Sequence, residues 1–208
     1  ISLFITISVN YYMAYIVCLF LCLYFIYLLV NNNFKDKKMI INKIINFAIC
    51  SILAGLLSSF ILLPVINDLI GTAKSINEGV SVTKVSSTIY NFLGRFYIGS
   101  THKDIFINKN YPCIYSSILS LPLIYFYFRS NKYKLKEKIS DAVILLILIL
   151  PFFIPFLNFV WHGFSYPMWL NYRYSYILIF FNLILALKGL KTSDKIKLED
   201  YLIFLIGF

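Results

Sequence analysis

The sequence predicts an all-α, polytopic integral membrane helix bundle with about six to seven transmembrane helices, partly truncated. Three observations predict it. The 208 residues are 60% hydrophobic and 13% charged, with a mean hydropathy of +0.79. Soluble domains carry roughly 45–50% apolar and about 25% charged residues, and a single soluble core of this size could not hide the excess. The apolar residues fall into runs that approach the ~20 residues a helix needs to cross a bilayer. Aromatic residues make up 19% of the chain, which suits helices whose ends lie among headgroups.

In chain order, residues 1–9 are expected to be the tail of a first helix and residues 13–30 a second, with Asn10, Tyr11 and Tyr12 as a tight polar turn between them. Residues 44–66 form a third helix, with Pro64 near its end. Residues 112–128 form a fourth, and Pro112 suits its first turn, where a missing N–H costs little. Residues 142–160 form a fifth, which Pro151 and Pro155 should kink or break. Such a break is tolerated where neighbouring helices or a water-filled cavity satisfy the freed carbonyls, and a cavity opening outward is expected there. Residues 174–187 form a sixth helix, and 201–208 begin a seventh. The chain starts at Ile1 rather than Met, and Phe208 falls inside an apolar run, so it is expected to be an internal stretch of a longer protein. Residues 1–30 show no basic leader and no small-residue cleavage site. All of 1–208 reads as one transmembrane domain.

Charge sorts the loops. Thirteen of the 19 Lys and Arg lie in three of them: Lys35, Lys37, Lys38 and Lys43; Arg129, Lys132, Lys134, Lys136 and Lys138; Lys188, Lys191, Lys195 and Lys197. The positive-inside rule places these loops in the cytoplasm. Residues 10–12, 67–111 and 161–172 then face outward, and successive spans alternate in direction. The net charge of +10 is therefore a membrane signature, and no nucleic-acid partner is implied. Within the outer loop 67–111, residues 85–96 predict a short amphipathic helix along the interface, ended by Gly94 and Gly99.

The chain carries no P-loop, GxSxG, HExxH or EF-hand pattern, so direct ATP use is not indicated. Inside the apolar runs no acidic residue lies well away from the ends, where an ion-coupled transporter often keeps one. Cys18 and Cys22 are one helical turn apart, but with no CxxC and no nearby His they read as two small apolar-face residues rather than a metal or redox pair. The outer carboxylates Asp68, Glu78 and Asp104 read as solvated loop residues, and His102 beside Asp104 is a weak signal.

Two polar constellations stand out. The first is Asn10-Tyr11-Tyr12-Met13-Ala14-Tyr15, readable as a turn with interface tyrosines. The second runs from Trp161-His162-Gly163-Phe164 through Pro167 and Trp169 to Tyr172-Arg173-Tyr174-Ser175-Tyr176, and holds both tryptophans of the chain. It reads either as an aromatic belt with Arg173 snorkelling to headgroups, or as an anion site at the outer mouth. In the second reading Arg173 would hold a phosphate bidentately and His162 would donate a hydrogen bond or a proton.

These residues resemble a known family. Asn10-Tyr11-Tyr12-Met13-Ala14-Tyr15, with Cys18 and Phe20, resembles the NYYxxYxxxxF stretch of the bacterial YfhO membrane proteins. Trp161-His162-Gly163-Phe164, Pro167, Trp169 and Tyr172-Arg173-Tyr174-Ser175-Tyr176 are similar to that family's WHGFxxPxWxxYRYSF signature, with Tyr176 in place of the final Phe. The resemblance covers essentially the whole chain. It implies a polytopic bacterial cell-membrane protein similar to GT-C glycosyltransferases, which move a sugar from a polyprenyl-phosphate carrier to an acceptor outside the membrane, such as a teichoic acid or related surface polymer. It also implies that the catalytic carboxylate lies in an outer loop beyond these residues. The implied partners are membrane lipid, the polyprenyl-phosphate-linked sugar and the polymer acceptor; no cofactor is implied, and metal use is left open. His162 and Arg173 would bind the lipid phosphate. Trp161, Trp169 and Tyr172 would pack the prenyl chain or the sugar, with Asn10 and Tyr11 as further contacts. A flippase of lipid-linked sugars, or a structural envelope subunit, are the alternatives.

Overall fold

The apolar runs become helices, but the breaks between them fall where polar side chains or prolines capture backbone groups. The computed structural model describes residues 1–32, 36–76, 87–96, 112–117, 119–164 and 171–192, and the side chains of these except 69–76. Contacts divide the chain into two compact units. One is Ile1–Lys84 with Phe159–Tyr166; the other is Val85–Asn158 with Pro167–Phe208.

In the first unit, α1 (Ser2–Val9) and α2 (Tyr11–Asn31) are separated by Asn10 alone. Asn10 leaves the helical region at φ −155° and ψ 99°, and its Oδ1 accepts from the Met13 N–H at 3.0 Å. That is the N-cap bond for which asparagine is favoured. Tyr11 and Tyr12, expected in the turn, are therefore the first helical residues of α2.

The single third helix expected over 44–66 is two: α3 (Lys37–Leu57) and α4 (Ser59–Ile76). Ser58 makes the break. Its hydroxyl and its N–H both donate to the Ala54 carbonyl, at 2.9 and 3.1 Å, and Gly55 lies just before it. A serine competing for the i−4 carbonyl beside a glycine is a recognised cause of kinking. Pro64 consequently lies inside α4, and residues 67–76, assigned to the outer loop from the sequence, are helical.

α1 packs on α2 and α3, and the Phe25 and Phe47 rings stack between α2 and α3 with centroids 4.2 Å apart. α2 and α3 have 21 residues each, about 31 Å of helix against a hydrocarbon core of about 30 Å. Ile52, Leu53, Leu56 and Leu57 of α3 point outward and are exposed. Such a surface suits lipid rather than water.

In the second unit, α5 (Ile89–Gly94) is capped by Thr88, whose hydroxyl accepts from the Asn91 N–H at 3.4 Å. It is shorter than the helix expected over 85–96; Gly94 closes it as expected, and Gly99 lies outside the described residues. α6 (Ser120–Arg129) starts at Ser120 instead of Pro112. The Ser120 hydroxyl lies 2.7 Å from that of Ser116 and donates to the Ser117 carbonyl at 2.7 Å, while Ser117 Oγ accepts from the Leu119 N–H at 3.3 Å. These local bonds offer the backbone an alternative to helix.

α7 (Leu135–Ile149) runs through a 3₁₀ turn at Leu150–Phe152, and the chain then turns by 101° into α8 (Pro155–Trp161). The prolines do break this segment. Pro151 is fully buried, and the Phe152 carbonyl accepts from the Ser87 N–H at 2.9 Å. The rings of Phe92, Tyr172 and Tyr174 surround Phe152 at centroid distances of 4.9 to 5.4 Å, so protein side chains meet the break.

α9 (Ser175–Leu190) packs along α6 and α7 and buries Ile177, Leu178, Phe181 and Leu185. Gly189 permits the closest approach: a Cβ there would lie 2.6 Å from the Leu123 carbonyl carbon and 3.2 Å from Leu123 Cα.

Among the described residues every regular element is helical. Two helices, α2 and α3, are long and apolar enough to cross a membrane, or three spans result if α7 and α8 count as one bent span. Among the described residues, two to three helices thus meet the length and apolarity of a span, where the sequence leads to six to seven. α6 and α9, with 10 and 16 residues, are shorter than that length. The seventh helix at 201–208, and Glu78, His102 and Asp104, lie outside the described residues.

Candidate functional site

The first unit brings the first polar constellation together with the start of the second, Trp161–Phe164. At the C-terminus of α8, the Phe164 N–H donates to the Phe159 carbonyl at 3.0 Å and the Gly163 N–H to the Val160 carbonyl at 3.1 Å. Gly163 has φ +67°. The Phe159 and Phe164 rings meet edge to face, 5.8 Å apart. This is a Schellman cap: the 6→1 and 5→2 bonds, a left-handed glycine just past the helix, and the apolar contact that accompanies them. His162 is the residue before that glycine, 1% exposed, and Trp161 is 6% exposed.

The first turn of α2 holds this cap. The Tyr15 hydroxyl donates to the Val160 carbonyl at 2.9 Å, giving that oxygen a second donor. The Tyr15 ring lies 3.8 Å from where a Gly163 Cβ would stand, and the Tyr12 ring faces His162 at 6.3 Å, tilted by 47°. Tyr12 and Tyr15 are three residues apart and so share a helix face. Asn10 starts that turn as its cap, while Tyr11 remains 39% exposed.

The second unit holds the rest of the expected site. Residues 171–174 form a turn into α9 in which Asn171, Tyr172 and Tyr174 are buried and Arg173 is half-buried. Ser175 donates its hydroxyl to the Tyr172 carbonyl at 2.7 Å, pinning the turn. Burial pushes the Tyr172 phenol well above its usual pKa. The buried Tyr172 hydroxyl has no hydrogen-bond partner among the described residues. Trp169 lies outside the described residues.

Sequence reasoning passed over one cluster. Asp141, 1% exposed, accepts from the Tyr127 hydroxyl and pairs with Lys188 at 2.7 Å; Lys188 also reaches Glu137 at 3.0 Å. Glu137 and Asp141 are four apart on α7, and Lys188 lies in the last turn of α9, where a cation is favoured. The cluster ties α6, α7 and α9 at their lysine-rich end. The i, i+4 carboxylates and the late lysine were visible signals, but nothing in the sequence set the register between helices. Among the described residues, no three His, Cys, Asp or Glu side chains group to hold a metal ion.

Comparison with known proteins decides the family. The chain matches the family described as Bacterial membrane protein YfhO over residues 1–208. The chain belongs to the YfhO family. No curated protein and no solved structure gives a match. In this YfhO chain the NYY stretch and the WHGF stretch are a helix N-terminus and a helix C-cap that meet in one unit. Being a membrane-protein family member also agrees with apolar helices able to span a bilayer.

Proposed function

We propose that this YfhO chain is part of a membrane glycosyltransferase that moves a sugar from a polyprenyl-phosphate carrier to an extracytoplasmic acceptor such as a teichoic acid. In such a transfer the acceptor hydroxyl attacks the anomeric carbon, the carbon–oxygen bond to the carrier breaks, and the phosphate leaves with the bonding pair. A fixed cationic donor at that phosphate lowers the barrier, with one well-placed donor worth about 3–4 kcal/mol. The observation that carries the reading is Arg173, half-buried on the turn into α9 and next in sequence to buried Tyr172, whose hydroxyl has no hydrogen-bond partner among the described residues. Arg173 would take the phosphate, since its planar fork suits phosphate oxygens. Tyr172, with Trp169, would face the sugar or the first prenyl units. In the first unit, His162 and Trp161 are candidate contacts held by the Tyr12–Tyr15 face, with Asn10 and Tyr11 at its start. The base that activates the acceptor is assigned to an outer loop beyond these residues.

The transporter reading has one observation in its favour, the buried Asp141. Lys188 pairs with it, and it sits at the lysine-rich end, which better suits a structural tie. The test is donor turnover. Membranes holding the intact protein would be given a synthetic polyprenyl-phosphate sugar and a polymer acceptor. Wild type is expected to consume the donor, and Arg173→Ala to lose at least a hundredfold in rate while inserted at normal levels. Equal rates for both proteins would remove Arg173 from the site.

A further inference from the structure

The bent segment carries a surface that the transferase reading does not use. α7 and its 3₁₀ turn begin among Lys134, Lys136 and Lys138 and end at Phe152. At 1.5 Å per α-helical and 2.0 Å per 3₁₀ residue, the two together reach about 28 Å, of which the charged Leu135–Asp141 takes about 10 Å at the lysine-rich side. The apolar part ends at Phe152, where α5, part of the stretch that the sorting of lysines places outside, is docked. The chain then turns by 101°, so α8 lies across the direction of α7 instead of extending it. Just past the turn, Ile154 and Phe156 are 40% and 64% exposed.

A second short helix is docked at the same place. α5 buries Phe92 against Phe152 and Phe153, at ring-centroid distances of 5.3 and 5.2 Å, and the Ser87 N–H secures the Phe152 carbonyl. Its other side shows Ile89, Tyr90 and Leu93, each more than half exposed. The described part of α5 and the start of α8 carry no Lys, Asp or Glu. An exposed aromatic and aliphatic surface without charge, at the end of a crossing whose other end is lysine-rich, matches the bilayer interface opposite the cytoplasm.

We infer that α5 and the start of α8 form one in-plane collar in the outer-leaflet interface, with Tyr90 and Phe156 inserted among the lipids, and that α8 is not the second half of a span. The occupant of this surface is phospholipid at the boundary of headgroup and acyl chain. The collar would fix the depth at which the outer turns stand, whatever reaction they serve.

Depth measurement by spin labels tests it without reference to activity. In the intact protein with Cys18, Cys22, Cys50 and Cys113 replaced by serine, single cysteines would be placed by Phe156→Cys, Tyr90→Cys and, as a mid-span marker, Leu146→Cys. All three positions are exposed, so labelling should leave the fold intact. After reconstitution in phosphatidylglycerol/phosphatidylethanolamine vesicles, collision with oxygen and with an aqueous nickel chelate gives depth. The Phe156 and Tyr90 labels are expected within about 10 Å of the phosphate plane, both clearly shallower than Leu146. A Phe156 label more than halfway to the depth of Leu146 would overturn the inference in favour of a continuing span. Either label showing full aqueous exposure would overturn it as well.

Discussion

The Tyr15 hydroxyl donates to the carbonyl of Val160, 145 residues further along the chain, at 2.9 Å. This bond ties the start of a membrane-length helix to the C-cap of a seven-residue helix, so the Asn10–Tyr15 stretch and the Trp161–Phe164 part of the second constellation form one local structure. Tyr15→Phe removes the donor and keeps the ring against Gly163. The Val160 carbonyl retains its bond from the Gly163 N–H. The expected loss is that of one hydrogen bond, about 0.5–1.5 kcal/mol, read as a lowered unfolding midpoint in bicelles.

Gly163→Ala tests the cap itself. There is room for a methyl group, since the nearest atoms stand 3.8 Å away, so the cost comes from φ +67° alone. A left-handed L-residue costs roughly 1–2 kcal/mol. Unfolding midpoints should fall by that amount, and Gly163→Asn should recover part of it, because asparagine tolerates this conformation better. Equal stability of wild type and Gly163→Ala would mean that the left-handed turn is absent.

The Lys188–Asp141 pair makes a sharper prediction. Asp141 is almost fully buried, and Lys188→Met would leave its carboxylate unpaired beside Tyr127. Breaking a buried pair by removing one partner costs about 3–5 kcal/mol. The double change Asp141→Leu with Lys188→Met should regain most of that loss. Glu137 is about a third exposed, so Glu137→Gln should cost less than about 1 kcal/mol. Unfolding of the four proteins in the same bicelles orders them.

Gly189→Ala should be among the most damaging small changes in the chain. The added methyl would press on the Leu123 backbone, which cannot rotate away as a side chain can. Overpacking of this kind costs about 1–3 kcal/mol or more. Reduced insertion yield and a looser α6–α9 pair, seen as faster amide exchange, are the expected outcome; wild-type exchange rates would contradict the close approach.

The helical class was legible because it rests on averages: composition, run length and the sorting of lysines. The breaks were less so, since single groups decide them. Ser58 splits the expected third helix, and Ser116, Ser117 and Ser120 delay the start of α6, each by hydrogen bonds of one hydroxyl that no hydropathy pattern registers. The prolines at 151 and 155 were legible because they remove donors outright. In the candidate site, an asparagine before a helical run and a glycine after one carried the signals of an N-cap and a C-cap. What no local signal carried was that these two caps meet.

The central claim, that this chain serves sugar transfer to a surface polymer, is tested most directly in cells. The gene would be deleted, the purified wall polymers analysed by NMR for sugar substitution, and the strain complemented with wild type or with Arg173→Ala. The account predicts that one sugar signal disappears on deletion, returns with wild type and stays absent with Arg173→Ala present at normal levels in the membrane. Polymers unchanged by the deletion would contradict it.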